Sequence, residues 1–178
     1  MLAKLLTLLV TMVLAGVPLL GTPVALFPNS GWSTFEWSDA SPGHTTAISD
    51  PTDGYTVTSA DPLVLKIVDC CSAGDVFQVS IDGLLTSTSL VTATYDDALI
   101  YDPEQAWADP RFSRGEFVLD PGTHTISLAV TQVSIYRGTL EVNGNAWIEV
   151  TTPEPSTLVL VGLAMLGFGR IAFRRHGY

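Results

Sequence analysis

Positive charge, cysteine and histidine are all scarce in this 178-residue sequence: Lys and Arg number 8 against 18 Asp and Glu, with 2 Cys and 3 His. Half of the bases sit near the ends, so the stretch 26–152 keeps only Lys66, Arg111, Arg114 and Arg137 against 17 acids, a net charge of −13. A surface of that sign repels phosphates, which excludes nucleic acid and anionic lipid as partners of this stretch and leaves cation binding and simple solubility open. The two cysteines, Cys70 and Cys71, are adjacent. Two sulfurs are too few for a structural zinc site, and neither His44 nor His124 stands at a ligand spacing from them. Neighbouring Cα atoms lie only ~3.8 Å apart, below the usual disulfide separation. Three states therefore stay open: a strained vicinal ring, two buried thiols, or links between chains. Gly-x-Ser-x-Gly, His-Glu-x-x-His and a Gly-rich phosphate loop are all absent, so a non-enzymatic protein is expected, with no metal site of standard spacing.

Long apolar runs are missing from the middle and present at both ends. Lys4 precedes the apolar stretch Leu5 to Leu20, and small or polar residues follow as far as Ala25. This is the layout of a secretory signal peptide over residues 1–25, with a retained N-terminal anchor as the alternative. At the other end, Pro153, Glu154 and Pro155 precede an apolar segment, Leu158 to Phe173, and a basic stop of Arg170, Arg174 and Arg175. The prolines cannot donate backbone hydrogen bonds and bias their neighbours away from helix, which holds Glu154 extended as a readable handle. As a helix, Leu158 to Phe173 spans roughly 24 Å, short of the ~30 Å hydrocarbon core, with Arg170 able to snorkel to the interface. The arginines place the C-terminal end in the cytoplasm and the body outside.

That order of extended motif, short apolar helix and basic stop resembles the PEP-CTERM sorting signal of bacterial exported proteins, the substrate of exosortase. An ordinary tail anchor and a GPI signal are the rivals by layout, but the latter normally lacks the arginine cluster. The resemblance implies an exosortase-type processing enzyme as partner and a transient hold in the inner membrane by the C-terminal helix. Release to the cell surface or an exopolysaccharide matrix would follow. Three segments result: signal peptide 1–25, acidic domain 26–152 and sorting signal 153–178.

The middle segment is large enough for a hydrophobic core of its own. Apolar residues alternate with polar ones at Leu63, Leu65 and Ile67; at Phe77, Val79 and Ile81; at Phe117 and Leu119; at Ile126, Leu128 and Val130; at Leu140 and Val142; and at Ala146, Ile148 and Val150. A period of two predicts half-buried strands. Asp82-Gly83 and Asn143-Gly144 suit type I′ hairpins, and Asp120-Pro121-Gly122-Thr123 suits a type II turn. Five of the 11 prolines follow aspartate, a pairing that opens turns. The fold expected is all-β, an antiparallel, jelly-roll-like sandwich of about eight strands. Helix is expected for at most one turn, within Tyr95 to Ala108.

Residues 94–114 form a long connection rich in acids and aromatics, the kind of loop that is often functional. Two binding readings arise there. Exposed Trp or Tyr faces stack on sugar rings, which makes Trp32, Trp37, Tyr101 and Trp107 candidates for a carbohydrate-binding module, with Tyr101 and Trp107 foremost. Hard oxygens on Asp96, Asp97, Asp102, Glu104 and Asp109 suit Ca²⁺, although no Asp-x-Asp-x-Asp-Gly pattern is present.

Overall fold

The computed structural model describes residues 22–38, 46–51, 53–93 and 99–153. Residues 1–21 of the signal segment, nearly all of the C-terminal segment, His44, Asp96 and Asp97 lie outside them, whereas Val24 and Ala25, read as the end of the signal segment, form a strand. Among the described residues no helix is long and apolar enough to cross a membrane.

Strands dominate the chain, as alternation requires. One sheet pairs β4 (Tyr55–Ser59), β11 (Gly122–Gln132), β7 (Val76–Ile81) and β8 (Leu84–Ser87) in that order, with β1 (Val24–Ala25) parallel to β4 at its margin. The second runs β3 (Thr46–Asp50), β2 (Ser33–Ser38), β14 (Asn143–Thr151), β5 (Leu63–Asp69) and β10 (Arg114–Leu119), all antiparallel. β3 belongs to both sheets, pairing β11 with its first residues and β2 with its last. Ten strands are thereby linked, more than the eight expected, because β3 continues from one sheet into the other.

Inward faces meet between the sheets. Tyr55, Val57, Phe77, Val79, Ile126, Leu128 and Val130 come from the first; Phe35, Trp37, Leu63, Leu65, Ile67, Ile148 and Val150 come from the second. Phe35 meets Phe77 edge-on, ring centroids 5.3 Å apart, across the layer. Each of these fully buried aliphatic side chains contributes on the order of 1.5–3 kcal/mol.

Two local expectations need correction. Asn143-Gly144 is no hairpin turn: both residues lie in β14, paired with Ser38 and Trp37. The neighbouring hairpin joins β12 (Ile135–Tyr136) to β13 (Thr139–Leu140) through Arg137 and Gly138, which carry the positive φ of 50° and 76° that such a turn demands. Leu140 and Val142 are accordingly exposed, at 40% and 62%, instead of lining a core. Asp120 to Thr123 carries the chain from one sheet to the other, since β10 ends in the second and β11 starts in the first. Asp82-Gly83 does turn as read, with φ of 52° and 82°.

Candidate functional site

The outer face of the second sheet carries the features of interest. Along β14, Asn143, Asn145, Trp147 and Glu149 alternate outward while Ala146, Ile148 and Val150 enter the core. Over Trp147 lies α1 (Pro103–Ala108), and between them is a small second core of Val68, Cys70, Ala73, Ala106, Phe112 and Trp147. The helix starts where Asp102 caps it, its Oδ1 accepting from Gln105 N at 2.8 Å, with Pro103 at the first position. It closes at Asp109, whose carboxylate also holds the Arg111 guanidinium. This element is slightly longer than the single turn expected.

Trp107 projects from α1 beside Trp32, ring centroids 6.0 Å apart, and Trp32 Nε1 donates to Glu104 at 2.8 Å. Both indoles are half-buried. Lys66 Nζ lies 5.4 Å and Arg114 Cζ 5.9 Å from the Trp107 ring, and Arg114 also donates to the Trp107 carbonyl. Tyr101, just before α1, is 73% exposed. The structure thus gathers Trp32 and Trp107 and leaves Tyr101 open, whereas Trp37 is 1% exposed and belongs to the core, where no sugar can reach it. Of the acids named for Ca²⁺, Asp102, Glu104 and Asp109 are engaged by the helix start, Trp32 and Arg111 respectively. Among the described residues no three His, Cys, Asp or Glu side chains are grouped to hold a metal ion.

Cys70 and Cys71 are bonded to one another, their Cα atoms 3.7 Å apart. Cys71 takes a φ of 72° and enters β6 (Cys71–Ser72), which pairs with β9 (Leu99–Ile100). That ribbon leads directly to Tyr101 and α1. Beside the ring is a cleft of about 520 Å³ whose walls include Glu36, Asn143 and Asn145.

Sequence reading missed two buried acids next to this region. Asp69 Oδ2 accepts from the backbone of Gly74 and Asp75, while its Oδ1 is buried without a hydrogen-bond partner. Burial, and then the charge of Asp75, push Asp69 well above the usual carboxylate range. Burial likewise pushes Asp75 up to about 7, Glu141 adding to the rise while the Ser134 N–H, 2.6 Å away, holds it down. Only their position at strand ends near glycine hinted at such roles.

His124 is a clasp. Its Nδ1 lies 2.6 Å from Asp82 Oδ2, and Nε2 donates to the Asp120 carbonyl at 2.7 Å. Asp82 Oδ1 accepts from Thr125 N, tying the β7–β8 turn to the start of β11. The Asp120 carbonyl, then Asp82, raise the imidazole pKa. With both ring nitrogens occupied, this imidazole serves the turn and has no free lone pair for base chemistry.

At the C-terminal end, Thr152 is the last residue the fold grips. Its N–H donates to Asn29 Oδ1 at 3.0 Å, and Asn29 Nδ2 donates back to Thr152 Oγ1 at 3.0 Å. Pro153 follows, exposed, while Glu154, Pro155, Arg170, Arg174 and Arg175 lie outside the described residues. A family model described as a PEP-CTERM protein-sorting motif matches residues 151–175. No curated protein matches the chain. A signal of this kind points to an exosortase-processed, exported protein and is consistent with delivery to the cell surface. The chain is therefore a PEP-CTERM sorting domain-containing protein, its signal starting on the last residue of the last strand.

Proposed function

We propose that this chain is a non-enzymatic, jelly-roll-like sandwich delivered by a signal peptide, held briefly in the inner membrane by its C-terminal helix, and cut at or near Pro153 to Pro155. The product is released to the surface or into an exopolysaccharide matrix, and the catalytic groups belong to the processing enzyme. The observation that carries this reading is the placement of the matched signal: it begins at residue 151, immediately after Val150, the last residue of the main core. A cut beyond Thr152 removes nothing that the core uses. No cofactor enters the reading.

Intact mass of the protein isolated from its native host is the test. Loss of both terminal segments is expected, with the C-terminus within a few residues of Pro153. A mature form that retains Arg174 and Arg175 while the processing enzyme is present contradicts it.

Carbohydrate binding is a second reading, favoured by the half-buried Trp32 and Trp107 pair and by the exposed Tyr101 ring shortly before the helix that carries Trp107. Trp32 and Trp107 lie over one sheet face, as part of a stacking shelf for a glycan would. Polysaccharide binding that survives Trp107→Ala and Tyr101→Ala would remove that shelf from the reading.

A further inference from the structure

We propose that the cleft beside the Cys70–Cys71 ring is a saccharide subsite for neutral or amine-bearing sugar residues. This rests on the carbohydrate reading above and extends it from the aromatic shelf to the polar end of the same sheet face. Asn143 stands opposite Ser38 and Asn145 opposite Glu36 in the β14–β2 register, so two cross-strand polar pairs line one face of the cleft. A carboxamide offers both donors and an acceptor, and a carboxylate accepts from a hydroxyl or an ammonium. Sugar hydroxyls, each donor and acceptor at once, match that set. The disulfide contributes sulfur, polarizable and weakly polar, against which the C–H face of a sugar ring can rest.

Charge narrows the ligand further. None of the described residues lining the cleft is basic, and Glu36 and Glu141 are both among them. A uronate or a phosphate would meet the Glu141 carboxylate as a like charge, whereas a neutral or protonated amino sugar would not. The volume of about 520 Å³ lies inside the range of small-ligand sites, roughly 300–1,000 Å³. Rigid elements hold the walls: paired strands carry the amides, and Glu141 accepts from Ser134 Oγ. The β6–β9 ribbon pairs Cys71 of the ring with Ile100, the residue before Tyr101.

The experiment titrates the full-length chain in detergent micelles with three tetrasaccharides, a neutral β-glucan, its glucosamine counterpart and a galacturonate, read by calorimetry. Binding of the neutral or the amine-bearing probe is expected, stronger than that of galacturonate. Asn143→Ala with Asn145→Ala should weaken it about tenfold, the loss of a pair of hydrogen bonds, with the melting temperature checked in parallel. Glu141→Gln, which keeps an acceptor for Ser134, should reduce the discrimination against galacturonate. Undiminished binding in the asparagine variant that disappears in Trp107→Ala with Tyr101→Ala overturns the cleft and leaves the carbohydrate reading standing. Preference for galacturonate also overturns the cleft. Binding of none of the three probes overturns both.

Discussion

Asp75 accepts the Ser134 N–H from inside the fold, and burial holds its pKa up at about 7 against an ordinary 3.8. A carboxyl raised in the folded state is protonated there while the unfolded chain has already released its proton. Its contribution to stability is thus present below the unfolded value of 3.8 and declines as pH rises towards 7. The slope for one such proton is on the order of 1.4 kcal/mol per pH unit. His124 acts with the same sign, its raised pKa giving stability that is lost as pH climbs through it. The melting temperature is therefore expected to peak on the acid side of neutrality. Asp75→Asn keeps an acceptor for Ser134 and cannot ionise, so its melting temperature should depend less on pH between 3.8 and 7. A variant curve parallel to that of the parent protein would assign the dependence elsewhere. Gly144 makes a sharper point about space. A Cβ there would lie 2.6 Å from Trp37 Cζ2, within an indole that is only 1% exposed and has little room to move. Gly144→Ala should cost about 1–3 kcal/mol in chemical denaturation, the usual penalty for overpacking, while Asn143→Ala on the outer face should leave the core intact.

α1 shows how a short element is fixed by its ends. Six residues are too few to be a stable helix alone, so the Asp102 cap and the packing of Ala106 and Phe112 on Trp147 decide whether it forms. Asp102→Ala should destabilise the protein by about 1 kcal/mol, and Asp102→Asn by much less, measured by urea unfolding. Tryptophan fluorescence should report the same step, since Trp107 sits on that helix. The sequence signals for such features differ in strength. Period-two alternation located Leu63 to Ile67, Phe77 to Ile81 and Ile126 to Val130 correctly because each strand has one wet and one dry face. It misplaced Leu140, on a peripheral two-stranded ribbon, and Val142, in the bend before β14, both of them exposed. Asn143-Gly144 has the composition of a turn, yet its glycine serves close approach to Trp37, a demand set by a cross-strand partner distant in sequence. Asp102-Pro103 was legible as a turn opener, and here the same chemistry opens a helix. The Asn143 and Asn145 wall was hidden by the turn reading, and the buried acids by their need for partners far along the chain.

For the molecule as a whole, delivery and fold meet at Asn29. Its φ of 62° turns the segment before β2 back towards β14, so that its N–H donates to the Val150 carbonyl at 2.8 Å while its side chain grips Thr152 from both sides. A processing enzyme takes its substrate extended, and backbone paired in β14 is not available to it. Cutting before Val150 would strip a residue from the core and break the pairs that Val150 and Thr151 make with Leu65 and Val64. Beyond Thr152 the backbone emerges at the exposed Pro153. The mature C-terminus is therefore expected at Thr152 or later, a boundary set by the sandwich and not only by the enzyme's taste for the proline motif. Asn29→Ala removes both side-chain bonds to Thr152 and should free that residue without unfolding the core, costing about 1–2 kcal/mol at this exposed end. In the native host, the variant's intact mass should then show additional trimmed forms ending at Thr151, which the parent protein lacks. An unchanged mass pattern, with the expected loss of stability confirmed, would place the boundary in the processing enzyme and free the clasp of any part in it.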